Sequence, residues 1–167
     1  MPLYYNLGGH LFSGEKPINN PVTTGDTGLV YLYRQSGSRL IALDTTKATY
    51  LGYYMFPNLL RGSYLVKSTL TPGSAGYNRY IPASFPGSAT WLEATMLQIG
   101  NGHEYHAHIY MIGKPVLEAE VGMITGKVVA GEPGVVQIPV ESADVILFDT
   151  QMNPLDFCQS GTTGNYT

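Results

Sequence analysis

Charged residues are scarce. They make up 13% of the 167-residue chain, about half the share usual in soluble domains. The nine Lys and Arg are scattered, and no segment gathers them into the basic stripe that nucleic acid requires, so nucleic acid is not an expected partner. A single cysteine, Cys158, excludes an intrachain disulfide framework and a Cys-based zinc site. In its strand it reads as a small hydrophobe; an intermolecular disulfide is the sharper alternative. No apolar run approaches the roughly 20 residues that span a bilayer, so no membrane insertion is expected. The segment beginning Pro2-Leu3-Tyr4-Tyr5 has neither the basic start nor the apolar stretch of a signal peptide. An exported protein would therefore be present as its mature form or a fragment.

Catalytic patterns are missing too. There is no G-x-S-x-G, no phosphate-cradling glycine loop and no Cys–His pair with a third group. Glu93, Glu104 and Glu118 carry carboxylates that nothing pairs at a defined separation. These absences predict a protein that is not an enzyme and needs no cofactor.

What the chain has in quantity is Gly (20), Pro (11) and Tyr (13), the composition of turns and aromatic strands. A hydrophobic share of 44% with a net charge of only −3 excludes disorder. Leu29 to Tyr33 and Arg39 to Leu43 flank the turn Gln35-Ser36-Gly37-Ser38 and read as a hairpin. Tyr53 to Phe56 and Tyr64 to Ser68 form a second pair of runs around Arg61-Gly62. Met96 to Ile99 and Tyr105 to Ile112 flank Gly100-Asn101-Gly102. Trp91 to Met96 is the one stretch that reads as short helix or strand. Many short strands at regular spacing predict a sandwich.

Internal comparison is informative. Leu7-Gly8-Gly9-His10-Leu11-Phe12 is similar to Ile124-Thr125-Gly126-Lys127-Val128-Val129. Val30 to Tyr33 is similar to Val145 to Phe148. Leu43-Asp44 precedes Gly52-x-Tyr54 by the spacing at which Leu155-Asp156 precedes Gly164-x-Tyr166. Shared order and spacing predict a module over residues 1–112 with an aromatic-rich extension, a linker over 113–120, and an incomplete second module over 121–167. Residues 121–167 are expected to be incomplete by themselves: either the chain is a fragment of a longer repeat protein, or strands of another chain complete them.

The longest motif runs Gly52-Tyr53-Tyr54-Met55-Phe56-Pro57-Asn58-Leu59-Leu60-Arg61-Gly62-Ser63-Tyr64-Leu65-Val66. Period-two alternation puts Tyr54 and Phe56 on one face. Leu59 is expected to plug a corner, Gly62 to supply the freedom of the turn, and Tyr64 and Val66 to return to the buried face. This pattern resembles the carboxypeptidase regulatory-like, Cna B-type and transthyretin-like group of domains. The resemblance implies an all-β, immunoglobulin-like (prealbumin-like) antiparallel β-sandwich. Tyr77-x-x-Tyr80-Ile81-Pro82, Phe85-Pro86-Gly87 and Trp91-x-Glu93-Ala94 are similar to an extension in repeated modules of large secreted Bacteroidota proteins, many exported by the type IX route. That resemblance implies a secreted or cell-surface location. Some Cna B-type domains carry a Lys–Asn isopeptide bond, but no pattern singles out Lys16, Lys47, Lys67 or Lys127.

His106 and His108 share one face of a strand, near His103, and His10 sits in the first strand. Two imidazoles begin a zinc or copper set without completing it, so the plainer role is a solvent-facing row and no bound metal is expected. Tyr77, Tyr80, Phe85 and Trp91 either form a sugar-stacking platform, with Trp91 at its centre, or pin a long loop onto a sheet. Asp44-Thr45-Thr46 resembles an O-glycosylation signal of exported Bacteroidota proteins, with Thr45 as acceptor in a loop between strands. The expected function is a non-catalytic structural or adhesive repeat. Its partners would be other modules of the same protein, other surface proteins and, in one reading, glycans. The alternative is a carbohydrate-binding accessory module of a secreted hydrolase.

Overall fold

The computed structural model describes residues 3–18, 25–101, 104–116, 122–132 and 134–167. It is all-β: strands hold 52% of the chain, in several antiparallel sheets consistent with a β-sandwich. Among the described residues there is no α-helix, and no helix is long and apolar enough to cross a membrane. Trp91 to Met96 is neither helix nor strand but turn and irregular backbone. The chain divides into two compact units, Met1–Gly113 and Lys114–Thr167.

The first unit opens with β1 (Tyr5–Ser13) and the short β2 (Lys16–Pro17). A hairpin of β3 (Gly28–Ser36) and β4 (Arg39–Lys47) turns at Gly37, whose φ of 60° suits a residue without a side chain. Then come β5 (Tyr53–Leu59) and β6 (Gly62–Leu70). The long segment after β6 carries β7 (Tyr80–Ile81), β8 (Ala83–Ser84) and β9 (Leu97–Ile99), followed by β10 (Glu104–His106) and β11 (Ile109–Gly113).

Two sheets close on one core. In the first, β1 pairs antiparallel with β2 and β5 and parallel with β10 and β11, and β7 adds to β11. In the second, β4, β3, β6 and β8 lie side by side, with β9 also on β6. Alternate residues of β1, β3, β5 and β6 point inward: Leu7 and Leu11, Val30 and Leu32, Tyr54 and Phe56, Tyr64 and Val66 are all buried.

Several neighbouring runs therefore belong to different sheets. β5 and β6 are not a hairpin, since β5 pairs β1 and β6 pairs β3. The chain crosses between the sheets at Leu59 to Arg61, where the Tyr64 hydroxyl donates to the Leu60 carbonyl at 2.6 Å and ties the corner. Leu59 packs against the core there, as expected. Gly62 has no positive φ; a Cβ on it would lie 3.2 Å from Arg34 Nε and Tyr64 Cε2, so close approach, not turn freedom, is what the position demands. Likewise β9 pairs β6 while β10 pairs β1.

The second unit holds β12 (Gly126–Lys127), β13 (Val129–Ala130), β14 (Ile138–Pro139), β15 (Asp144–Phe148), β16 (Pro154–Gln159) and β17 (Asn165–Tyr166). They form three pairs: β12 with β17, β13 with β14, and β15 with β16. At its start, Lys114 pairs with Asp156 and lies 4.9 Å from the Phe157 ring. Gly113 is the last residue of β11, opposite Tyr80, while 117–121 lie outside the described residues. Cys158 is a free, half-buried thiol in β16, opposite Val145.

Registers of the first unit recur in the second. Gly9 faces Tyr54, and Gly126 faces Tyr166. Val30 faces Thr46, and Val145 faces Cys158. Both hairpins break register at one place: after Leu32–Asp44 the partner strand skips Leu43, and after Leu147–Asp156 it skips Leu155. Beside each bulge a carboxylate accepts from the next amide, Asp44 from Thr45 and Asp156 from Phe157, both at 2.7 Å. Ala48 N donates to Gly28 O at 2.9 Å, and Ser160 N to Ala143 O at 3.0 Å. Gly52 and Gly164 both have positive φ and both donate to the carbonyl three residues back.

Candidate functional site

On β1 the inward set Leu7 and Leu11 leaves His10 and Phe12 to the other face of the sheet. β5 adds Tyr53 and Met55 to that face, β10 adds His106, and β11 adds Tyr110. Ala107 and His108 interrupt the strand between β10 and β11, and His108 falls beside His10. Parallel pairing of β1 with both pieces is what assembles the row.

The rings make a continuous ladder. Phe12 stacks on Tyr110 with centroids 5.0 Å apart and planes 25° from parallel. His10 lies 5.4 Å from Tyr53 and 5.5 Å from His108, which is 5.8 Å from Phe12. His106 is 6.5 Å from His108. Tyr53, His106 and Tyr110 are exposed, and His10, Phe12 and His108 half-buried.

Backbone contacts set the imidazole tautomers. His10 Nδ1 is 2.9 Å from the Leu51 carbonyl, which only accepts, so Nδ1 carries a proton, and in the neutral ring Nε2 is the acceptor. His108 Nδ1 accepts from the His10 amide at 3.2 Å, so its proton sits on Nε2, which becomes a donor. Burial lowers the His108 pKa, and His10 and then His106 lower it further by charge repulsion. Flat faces beside imidazole donors and acceptors can take up a ligand that is apolar on its face and hydroxylated at its edge. The described residues hold no group of three His, Cys, Asp or Glu placed to bind a metal.

His106 and His108 lie on one face, with their rings 6.5 Å apart, as their two-residue spacing predicts. His10, Phe12, Tyr53 and Tyr110 join them there, which no spacing in the sequence indicates. Only the alternation of β1 and β5 could have signalled their outward facing, and no local pattern reveals which strands lie side by side. His103 lies outside the described residues. Tyr77 and Tyr80 pack against the core together with Phe85, and Trp91 stands 55% exposed in a turn. Tyr77 and Tyr80 are half-buried there. Thr45 is exposed but lies inside edge strand β4, not in a loop, because β4 runs on to Lys47.

No family model, no curated protein and no solved structure matches the chain.

Proposed function

We propose that the chain is a non-catalytic structural or adhesive repeat from a large secreted or cell-surface protein. In this reading the first unit is an immunoglobulin-like (prealbumin-like) sandwich module and the second carries the opening strands of another. One observation supports it most: the bulge at Leu43 and Asp44 is repeated at Leu155 and Asp156, with the same amide-to-carboxylate bond. A binding site needs no second copy of a hairpin, whereas an array of spacers is made by copying one. The test is location. Antibodies raised against residues 1–113 should label intact cells of the native host or its culture medium. Labelling only after lysis would overturn the surface assignment.

The ring ladder favours a second reading, a carbohydrate-binding accessory module. Its site would be His10, Phe12, Tyr53, His108 and Tyr110 in place of Trp91, Tyr77 and Tyr80. Retention on insoluble cellulose, chitin or starch, lost in Tyr110→Ala, would support it. Passage through all three matrices would count against it.

A further inference from the structure

The turn between β8 and β9 holds two large apolar side chains in water: Trp91 is 55% exposed and Leu92 is 76% exposed. Hydrogen bonds hold that turn in shape. Its base is closed by Ser84 and Ser88, which exchange amide-to-carbonyl bonds of 2.7 and 2.8 Å, and by Thr95 N, which donates to Phe85 O at 2.8 Å. Its tip is clasped by side chains. Ser88 Oγ donates to the Thr90 carbonyl at 2.9 Å and accepts from the Thr90 amide at 3.3 Å. Thr90 Oγ1 donates to Glu93 Oε2 at 3.1 Å. An indole and a leucine side by side in water forgo the burial that drives folding. Fixing them there in advance lowers the ordering cost of any contact they make, and Trp leads the residues that anchor interfaces.

The same unit carries a flat surface of matching chemistry. The ring ladder leaves Tyr53 41% and Tyr110 48% exposed, with Phe12 stacked on Tyr110. Within the chain the projecting pair does not cover the ladder, since both stay open to water. The two surfaces also complement each other in charge. The ionisable imidazoles of the ladder, His10, His106 and His108, carry positive charge or none, whereas the exposed Glu93 beside the tip carries negative charge. The His10 amide occupies His108 Nδ1 and leaves its Nε2 as a donor, and Thr90 engages only Oε2 of Glu93. The projection thus brings apolar groups and an acceptor; the ladder brings ring faces and a donor.

We infer that the Trp91–Leu92 projection of one copy docks on the His10, Phe12, Tyr53, His108 and Tyr110 ladder of a second copy. The contact is head-to-tail, because the two surfaces are different parts of the same unit. This inference deepens the repeat reading above, since it names the surfaces by which copies adhere.

The experiment uses the full chain, whose one tryptophan is Trp91 itself. Mass by light scattering and the Trp91 emission maximum are followed as concentration rises from micromolar to millimolar. Mass should rise above that of one chain, and emission should move to shorter wavelength as the indole leaves water. Leu92→Ala, which keeps the reporter, and Tyr110→Ala, on the opposite surface, should each weaken association about tenfold or more. A mixture keeps the test independent of how any one variant folds. Trp91→Ala/Leu92→Ala has an intact ladder, and Tyr110→Ala has an intact projection. Together they should associate and shift the emission of the second, at concentrations where neither associates alone. Mass that stays at one chain throughout would overturn the inference. So would Tyr110→Ala associating like the parent, or the two variants failing to associate with each other. An emission shift on phosphatidylcholine vesicles or on cellohexaose, with mass still that of one chain, would assign the projection to lipid or to glycan and overturn it as well. Labelling of cells reads location and is indifferent to association, so this inference and the repeat reading can fail separately.

Discussion

Leu7 and Ile124 hold matching positions in the internal repeat, yet Leu7 is fully buried and Ile124 is 62% exposed. The same contrast separates Leu32 from Leu147, and Tyr54 from the half-buried Tyr166. Register, bulge and carboxylate contact are alike in the two units; burial is not. Hairpin geometry is decided within about 20 residues by turn, bulge and alternation. A core is decided by strands that arrive from elsewhere. In the first unit those are β6, β10 and β11, and Val66 in β6, Ala107 between β10 and β11, and Ile109 in β11 are completely buried. The two units thus separate what a local sequence specifies from what only long-range pairing adds.

The comparison is broken most forcefully by truncating matched core positions. Leu32→Ala removes a buried side chain from close-packed surroundings and should cost the first unit about 2–5 kcal/mol. Leu147→Ala removes a side chain that is 41% exposed and should cost the second unit less, about 1 kcal/mol. Amide exchange of β6 reports the first unit, and thiol labelling of Cys158, the one cysteine, reports the second. Equal losses would mean that Leu147 is as well packed as Leu32.

Matched glycines sharpen it next. A Cβ on Gly9 would lie 2.2 Å from the Ala107 carbonyl oxygen, a backbone atom that cannot yield without moving the parallel strand. On Gly126 the nearest atom, at 2.4 Å, is the hydroxyl of Tyr166, the far end of a side chain that can swing away. Gly9→Ala should therefore destabilise by about 3 kcal/mol and Gly126→Ala by less than about 1 kcal/mol. Denaturant midpoints of the two variants, read with the same two probes, decide it.

The matched tyrosines come third. Tyr54 is buried and donates to the Ala107 carbonyl, and burial pushes its phenol pKa up. Tyr54→Phe strands that carbonyl and should cost about 1–2 kcal/mol. Tyr166→Phe should leave the Cys158 probe within about 0.5 kcal/mol of the parent. A neutral Tyr54→Phe would mean that another group already satisfies Ala107 O.

Much of this was legible in the sequence, for identifiable reasons. The apolar and aromatic run Leu29 to Tyr33 reads as a strand, alternation puts Tyr54 and Phe56 on one face, and the order and spacing shared by the two halves go with registers that recur. Partners were not legible. β5 and β6 are adjacent in sequence, yet a corner at Leu60 sends them to opposite sheets. Period-two patterning tells which face a residue takes and says nothing of which strand lies beside it. For the same reason the ladder was only half seen. His106 and His108 are two residues apart, but His10, whose amide donates to His108, lies 98 residues away along the chain, and Leu51, whose carbonyl meets the His10 ring, lies 41 residues from His10. In the aromatic extension, Tyr77 and Tyr80 pack partly against the core while Trp91 stays exposed, a division that composition does not reveal.

The smallest expected effect follows from pH. All four histidines, His10, His103, His106 and His108, precede residue 114, so the second unit has none. His108 is held below its ordinary pKa by burial first, then by repulsion from His10 and His106. Its Nδ1 also accepts from the His10 amide, a bond that protonation there would abolish. Well above about pH 6.5 the group is neutral in both folded and unfolded chains and contributes no pH dependence. As pH falls through that value the unfolded chain takes up the proton first, so unfolding is favoured and stability declines. The decline from this group stops once pH has passed below its folded pKa. The denaturant midpoint of the first unit should therefore drop between about pH 7.5 and 5.5 while the Cys158-reported midpoint of the second stays nearly level. His108→Gln, which keeps an acceptor for the His10 amide but does not titrate, should flatten the slope of the first unit. An undiminished slope in His108→Gln would place the effect on the other histidines, and a parallel decline in the second unit would mean that it does not arise in the ladder.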